Sequence, residues 1–131
     1  MLEHIGIAVK DLKETVGLFE KVLGVKATGT EEIPHEKVRL SVLEVGNTKL
    51  ELLEGTHESS PISRYLRDKK GNSIHHIAFE VDDLEQKLKT LEKEGFEVID
   101  GYPKRGKNDS LVAFIHPKSL RGILIELVQT S

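Results

Sequence analysis

The sequence predicts an α+β chain built from two tandem β-α-β-β-β modules. Three observations lead there. Residues aligned at an offset of 72 place His4 on His76, and between 2 and 21 also pair Ile5, Val9, Asp11, Leu12, Glu20 and Lys21 with identical residues, seven matches in twenty positions. A second match sets "KLELLE" at 49–54 against "LIELVQ" at 124–129, with Glu51 over Glu126 at an offset of 75. Finally, the hydrophobic period switches from strand-like to helix-like in the same order in both halves.

Each element follows from its own residues. "HIGIAV" and "HIAFEV" alternate, putting Ile5, Ile7 and Val9, and equivalently Ile77, Phe79 and Val81, on one face of a half-buried strand. Asp11 and Asp83 stand as helix N-caps, with Glu14 and Gln86 three residues on as capping-box partners. Leu12, Val16, Phe19 and Leu23 then form one apolar helical face, as Leu84, Leu88 and Leu91 do, and Gly24 and Gly95 supply left-handed stops. Three strands are expected after each helix, at about 25–31, 37–45 and 48–54, then 96–101, 110–116 and 122–129. Gly46-Asn47 makes a tight hairpin turn, whereas "HPKSLRG" at 116–122 is a longer loop. Module one covers about 1–55 and module two about 74–131; the polar connector, 56–73, carries a short helix after Pro61, and the whole is one domain.

Composition narrows the function classes. A chain of 131 residues buries a real core without disulfides. Its 22 acidic and 19 basic side chains are interspersed at a net charge of −3, which argues against a nucleic-acid surface and for small-molecule or protein partners. The absence of cysteine excludes thiolate metal sites and fits a reducing compartment. Residues 1–6 contain Glu3 and His4 and no apolar h-region, and no apolar run approaches the roughly 18 residues of a membrane span. The expectation is a soluble cytoplasmic protein without signal peptide or membrane partner.

The repeat isolates four polar residues. Alternation sends His4, Gly6 and Ala8 to the face opposite Ile5 and Ile7, and His76, Ala78 and Glu80 to the equivalent face, each histidine followed on that face by a small residue. His75 points the other way. Glu51 and Glu126 lie among leucine, isoleucine and valine, where a carboxylate is costly unless paired or metal-bound. A single strand-end histidine or strand glutamate is ordinarily hydrogen-bonded or solvated; repetition at equivalent positions marks these four. Modules packed about a pseudo-twofold axis would bring them together as a His2Glu2 site, whose N and O donors suit Zn, Co, Ni, Mn or Fe as divalent ions.

With these residues in place the chain resembles the vicinal oxygen chelate superfamily, and within it the methylmalonyl-CoA epimerase family. The specific carriers are "GNTKLELLEG" (46–55), "SPISRYL" (60–66), "IHHIAFEVDDL" (74–84) and "HPKSLRGILIEL" (116–127). The resemblance implies strand order 1-4-3-2 in each module, a cupped eight-stranded mixed sheet around the metal, and a homodimer. It implies His4, Glu51, His76 and Glu126 as ligands of a divalent ion, Co2+ favoured, with Zn2+, Ni2+ and Mn2+ as alternatives. The implied reaction interconverts the (R) and (S) forms of methylmalonyl-CoA. Proton removal from C2 leaves an enolate whose charge needs several kcal/mol of stabilisation, which a divalent ion supplies. Glu126 is then the first acid/base and Glu51 the candidate for the opposite face.

Some features depart from the family. Some epimerases carry a further glutamate after a Pro-x-x-x-Val segment; here the segment is "PHEKVRL" and Leu40 holds that place. Lys107 to Asp109 stand where glycine and small residues are usual. Lys104, Arg105, Lys107, Lys118 and Arg121 are candidates for the phosphates of an acyl-CoA, and His116 is read as a strand-end residue within reach of substrate. Glyoxalase I (lactoylglutathione lyase) shares the same four ligand types, but has a "DPDG" turn where "HPKS" occurs here. A metal-free small-molecule-binding protein of the same fold would need an aromatic-lined cavity, and this chain has four Phe, two Tyr and no Trp.

Overall fold

The computed structural model describes residues 1–130, which divide into two compact units: His4–His75, and Met1–Glu3 with the chain from His76 onward. The class is α+β, as the sequence predicts.

In the first unit β1 (Leu2–Ala8, its first two residues within the other unit) leads to α1 (Leu12–Leu23), then β2 (Glu31–Ile33), β3 (Val38–Val45), β4 (Thr48–Gly55) and the short α2 (Pro61–Leu66). The strands lie in the order β2-β3-β4-β1, with β1 parallel to β4 and the others antiparallel. This is the expected 1-4-3-2 arrangement. The Asp11 side chain accepts the Glu14 N–H at 3.1 Å, and Gly24 closes α1 in the left-handed region at φ 69°. α1 rests on β3 and β4, where Val9, Leu12, Leu43 and Leu52 form a core with Val16 and Phe19. A second core, on the face of Ala8, collects Val38, Leu40, Val42 and Leu53 beneath Ile62 and Leu66 of α2. Leu52 is fully buried. Leu52→Ala is expected to lower the unfolding free energy by about 2–5 kcal/mol, read from the midpoint of urea unfolding at unchanged slope.

The second unit repeats the plan: β5 (Ser73–Glu80, its first residues within the other unit), α3 (Leu84–Lys93), β6 (Lys104–Arg105), β7 (Leu111–Ile115) and β8 (Ile125–Gln129), ordered β5-β8-β7-β6. Asp83 accepts the Gln86 N–H at 3.1 Å, and Gly95 just past α3 has φ 92°. Leu84, Leu88, Ala113, Ile115 and Leu127 make its core.

Three expectations are corrected. The predicted strand at 25–31 shrinks to Glu31–Ile33: the segment before it packs Val25 and Ala27 on the core of Leu43 and Leu52 and bonds to β3 through Thr28, whose N–H donates to the Val42 carbonyl while its hydroxyl accepts the Val42 N–H. The strand predicted at 96–101 reduces to a bridge between Val98 and Ile115, and a two-residue strand forms later at Lys104–Arg105. Phe79, expected on the buried face of its strand, is 38% exposed, while α3 packs against β7 and β8. No helix among the described residues is long and apolar enough to cross a membrane.

Candidate functional site

Sheet register explains how each half presents its histidine and glutamate. In the first unit Gly6 on β1 is the partner of Glu51 on β4, and Glu51 is the partner of Val42 on β3. His4 lies two residues before Gly6 and therefore shares the face. Its Nδ1 is 3.5 Å from Glu51 Oε2. The second unit repeats this: Ala78 partners Glu126, Glu126 partners Phe114, and His76 Nε2 is 3.2 Å from Glu126 Oε1. The small residue beside each carboxylate, Gly6 or Ala78, leaves the imidazole and carboxylate adjacent.

Three of the four side chains are buried, and Glu51 is half-buried. His4 is 5% exposed, His76 7% and Glu126 8%, while the Glu51 side chain is 17% exposed. The His76 ring meets Phe114 edge-on at 5.6 Å, and Phe114 in turn meets Tyr102 at 5.2 Å, so an aromatic wall lies beside Glu126. A buried carboxylate needs a cation or strong donors nearby. Two donors each about 2.1 Å from one ion, at tetrahedral or octahedral angles, are themselves about 3.0–3.4 Å apart. The His76–Glu126 separation of 3.2 Å falls within that spacing and the His4–Glu51 separation of 3.5 Å lies just beyond it, so the nitrogen and oxygen donors of each pair fit a divalent ion with little adjustment.

A pair of contacts that sequence reasoning missed fixes the glutamate strands. The Leu12 N–H, at the start of α1, donates to Glu54 Oε1 at 2.8 Å, and the Leu84 N–H, at the start of α3, donates to Gln129 Oε1 at the same distance. Glu54 and Gln129 each lie three residues after a predicted ligand, hence on the opposite face of the strand. Among the described residues no side-chain bond returns from Glu14 or Gln86 to its cap, so only the aspartate half of each capping box forms. The 75-residue offset that pairs Glu51 with Glu126 also pairs Glu54 with Gln129, and that was the available signal.

The remaining candidates are placed differently. Arg105 donates to Asp109 Oδ1 at 2.6 Å, and Lys118 pairs with Glu97 at 2.9 Å. The Lys118 hydrogen bond, aided by the charges of Lys118 and His116, holds the Glu97 carboxyl below the usual carboxylate range, so the pair persists at neutral pH and is lost only as pH falls through that lowered value. Lys104 lies over the Tyr102 ring at 4.8 Å. His116 accepts the Lys118 N–H through Nδ1 at 3.1 Å and so caps the turn Pro117–Leu120. His75 faces away from His76 in sequence alternation and packs edge-on against Tyr65 at 4.8 Å.

Leu40 confirms the departure noted in the sequence: it is buried in the apolar core with Val38, Val42 and Leu53, and no carboxylate occupies its place.

Comparison with known proteins gives the chain its family. The model for the Glyoxalase/Bleomycin resistance protein/Dioxygenase superfamily matches residues 3–114. The chain belongs to this superfamily. Among its members, the chain is similar to the mitochondrial methylmalonyl-CoA epimerase of Dictyostelium discoideum, at 39% identity over 96% of this chain and 76% of the relative. It is also similar to an ethylmalonyl-CoA/methylmalonyl-CoA epimerase of Cereibacter sphaeroides, at 36% identity over 98% and 96%. A Streptomyces coelicolor methylmalonyl-CoA epimerase variant solved with 2-nitronate-propionyl-CoA superposes with a TM-score of 0.88 at 34% identity, covering 99% of this chain and 96% of the other. A lactoylglutathione lyase of Neisseria meningitidis is more distant, at 27% identity. Within the superfamily, therefore, the epimerase resemblance read from the sequence is borne out over the full length.

Proposed function

We propose that this superfamily member is an isomerase that interconverts the (R) and (S) forms of methylmalonyl-CoA by proton transfer at C2. The observation that carries this reading is the duplicated His–Glu pair, one per module, in a chain that matches named epimerases over nearly its full length. His4, Glu51, His76 and Glu126 would hold one divalent ion; Co2+ is favoured by resemblance, and Zn2+, Ni2+ and Mn2+ have the same donor preferences. When bound, the ion supplies charge stabilisation to the carbonyl oxygen as C2 loses its proton.

The protein's own residues do the proton work. Glu126, nearly dry beside Phe114, takes the C2 proton on one face as the other face is reprotonated, and in the reverse direction it delivers the proton to its own face. Burial keeps bulk water from competing for that proton. Glu51 is assigned the opposite face, because Leu40 lies in the apolar core and the other strand carboxylates on that face of the first module, Glu31 and Glu44, are exposed. The Phe114–Tyr102 wall excludes water on the Glu126 side. Homodimeric assembly, from the family, and a cytoplasmic location accompany this reading.

One pair of assays tests it. Metal-loaded protein is expected to exchange the C2 hydrogen of methylmalonyl-CoA in heavy water and to leave the methylglyoxal–glutathione hemithioacetal unchanged. The reverse result would assign lactoylglutathione lyase activity instead, and no bound metal after reconstitution would point to a metal-free binding protein.

A further inference from the structure

The basic side chains first suspected of meeting coenzyme A phosphates are largely engaged. Arg105 is tied to Asp109 and Lys118 to Glu97. A different cluster, within the first unit, has no such neutralisation. Lys37 Nζ donates to Ser59 Oγ at 2.7 Å, Arg64 donates through one terminal nitrogen to the Ser59 carbonyl at 3.2 Å, and His57 Nδ1 lies 2.8 Å from Ser59 Oγ. Two cations and an imidazole thus gather around one serine. Among the described residues none of the three is in an ion pair with a carboxylate, although the chain as a whole is acidic.

The local structure holds this cluster in place. The Ser59 N–H donates to His57 Nδ1 at 3.0 Å, so that nitrogen is the acceptor and the neutral ring carries its proton on Nε2. The Ser60 N–H donates to the His57 carbonyl at 2.9 Å, and the buried Ser60 side chain caps α2 by accepting the Ile62 N–H. Lys37 has a left-handed backbone, φ 56°, which L side chains other than Asn and Asp rarely adopt, and its carbonyl accepts the Thr56 N–H at 2.8 Å. This contact brings the turn just before β3 against the connector.

We infer that Lys37, His57 and Arg64 form a binding site for a phosphate monoester. An Arg fork, a Lys point charge and an imidazole N–H are complementary to a tetrahedral dianion, and like charges gathered on one residue repel unless an anion lies between them. The inference extends the acyl-CoA reading, on which its choice of ligand rests: the ribose 3′-phosphate of coenzyme A is one source of that chemistry and inorganic phosphate the other.

The probes are coenzyme A, 3′-dephospho-coenzyme A and inorganic phosphate, titrated into the full chain by calorimetry and by NMR of the His57 ring. Coenzyme A is expected to bind about tenfold more tightly than the dephospho form, and Arg64→Gln and Lys37→Asn, the latter keeping a residue tolerant of the left-handed backbone, bring that ratio close to one. Arg64→Lys, which retains charge, restores part of it, separating charge from folding; far-ultraviolet dichroism checks each variant. Inorganic phosphate is expected to move the His57 signal in the wild type and not in Arg64→Gln. Equal binding of the two coenzymes with a phosphate-induced His57 shift keeps the site and rejects coenzyme A as its ligand. If neither coenzyme binds, the acyl-CoA reading fails while the His57 shift still decides the site. No His57 shift and no coenzyme preference, or a preference lost on Lys104→Ala or Lys118→Ala but kept in the Lys37 and Arg64 variants, overturns it.

Discussion

His76→Ala is expected to yield a folded chain that no longer retains a stoichiometric divalent ion and exchanges the C2 hydrogen of methylmalonyl-CoA about a thousandfold more slowly. The magnitude follows from the several kcal/mol of charge stabilisation that a metal contributes to such a transition state, each 1.36 kcal/mol being tenfold in rate. Two readouts separate this from simple misfolding. Elemental analysis after dialysis reports the ion directly. Added metal raises the thermal midpoint of the wild type by mass action and leaves that of His76→Ala nearly unmoved. His4→Ala is expected to behave alike, because His4 bears the same register relation to Glu51 that His76 bears to Glu126. If both variants kept a full complement of metal, the ligand assignment would fail. Loss of metal in one and not the other would break the equivalence of the modules on which the four-residue site rests.

Those residues were legible in the sequence because a duplication turns one ambiguous signal into two. A histidine at a strand end carries little information alone. His4 and His76 at one offset, with Glu51 and Glu126 at another, specify equivalent places in equivalent elements, and the β1–β4 and β5–β8 pairings then put each histidine beside its glutamate. The helices were equally legible, since Asp11, Asp83 and Gly24 act through bonds spanning a few residues. What stayed hidden depends on partners distant in the chain. The Glu54 carboxylate reaches an N–H 42 residues away, and Gln129 one 45 residues away, and the strand pattern of alternating apolar residues does not distinguish these polar positions from solvated ones. The segments around 25–31 and 96–101 have strand-like composition yet make only isolated bonds, because edge segments obtain little cross-strand pairing to hold them flat. The engagement of Arg105 and Lys118 by Asp109 and Glu97 was likewise invisible in a charge count, although it decides which cations remain available for a phosphate.

The two carboxylates are equivalent by register and unequal in surroundings, and this difference gives the sharpest test of the reaction. Glu126 has Phe114 as its β7 neighbour and is buried; Glu51 has Val42 as its β3 neighbour and is more exposed. With Leu40 buried in an apolar cluster, the proposed reaction assigns the second face to Glu51. Glu51→Gln keeps size and an oxygen donor but removes the base. The expected result is that inversion at C2 slows by about 10²–10⁴-fold, the usual contribution of a positioned acid/base, while one epimer still exchanges its C2 hydrogen for deuterium without inverting. Glu126→Gln gives the mirror outcome, exchange surviving in the other epimer. Chiral analysis of labelled substrate by mass spectrometry after derivatisation reads both. Should Glu51→Gln reduce exchange of the two epimers equally while metal content stays full, Glu51 acts as a ligand alone, and the second proton must come from solvent or from substrate itself.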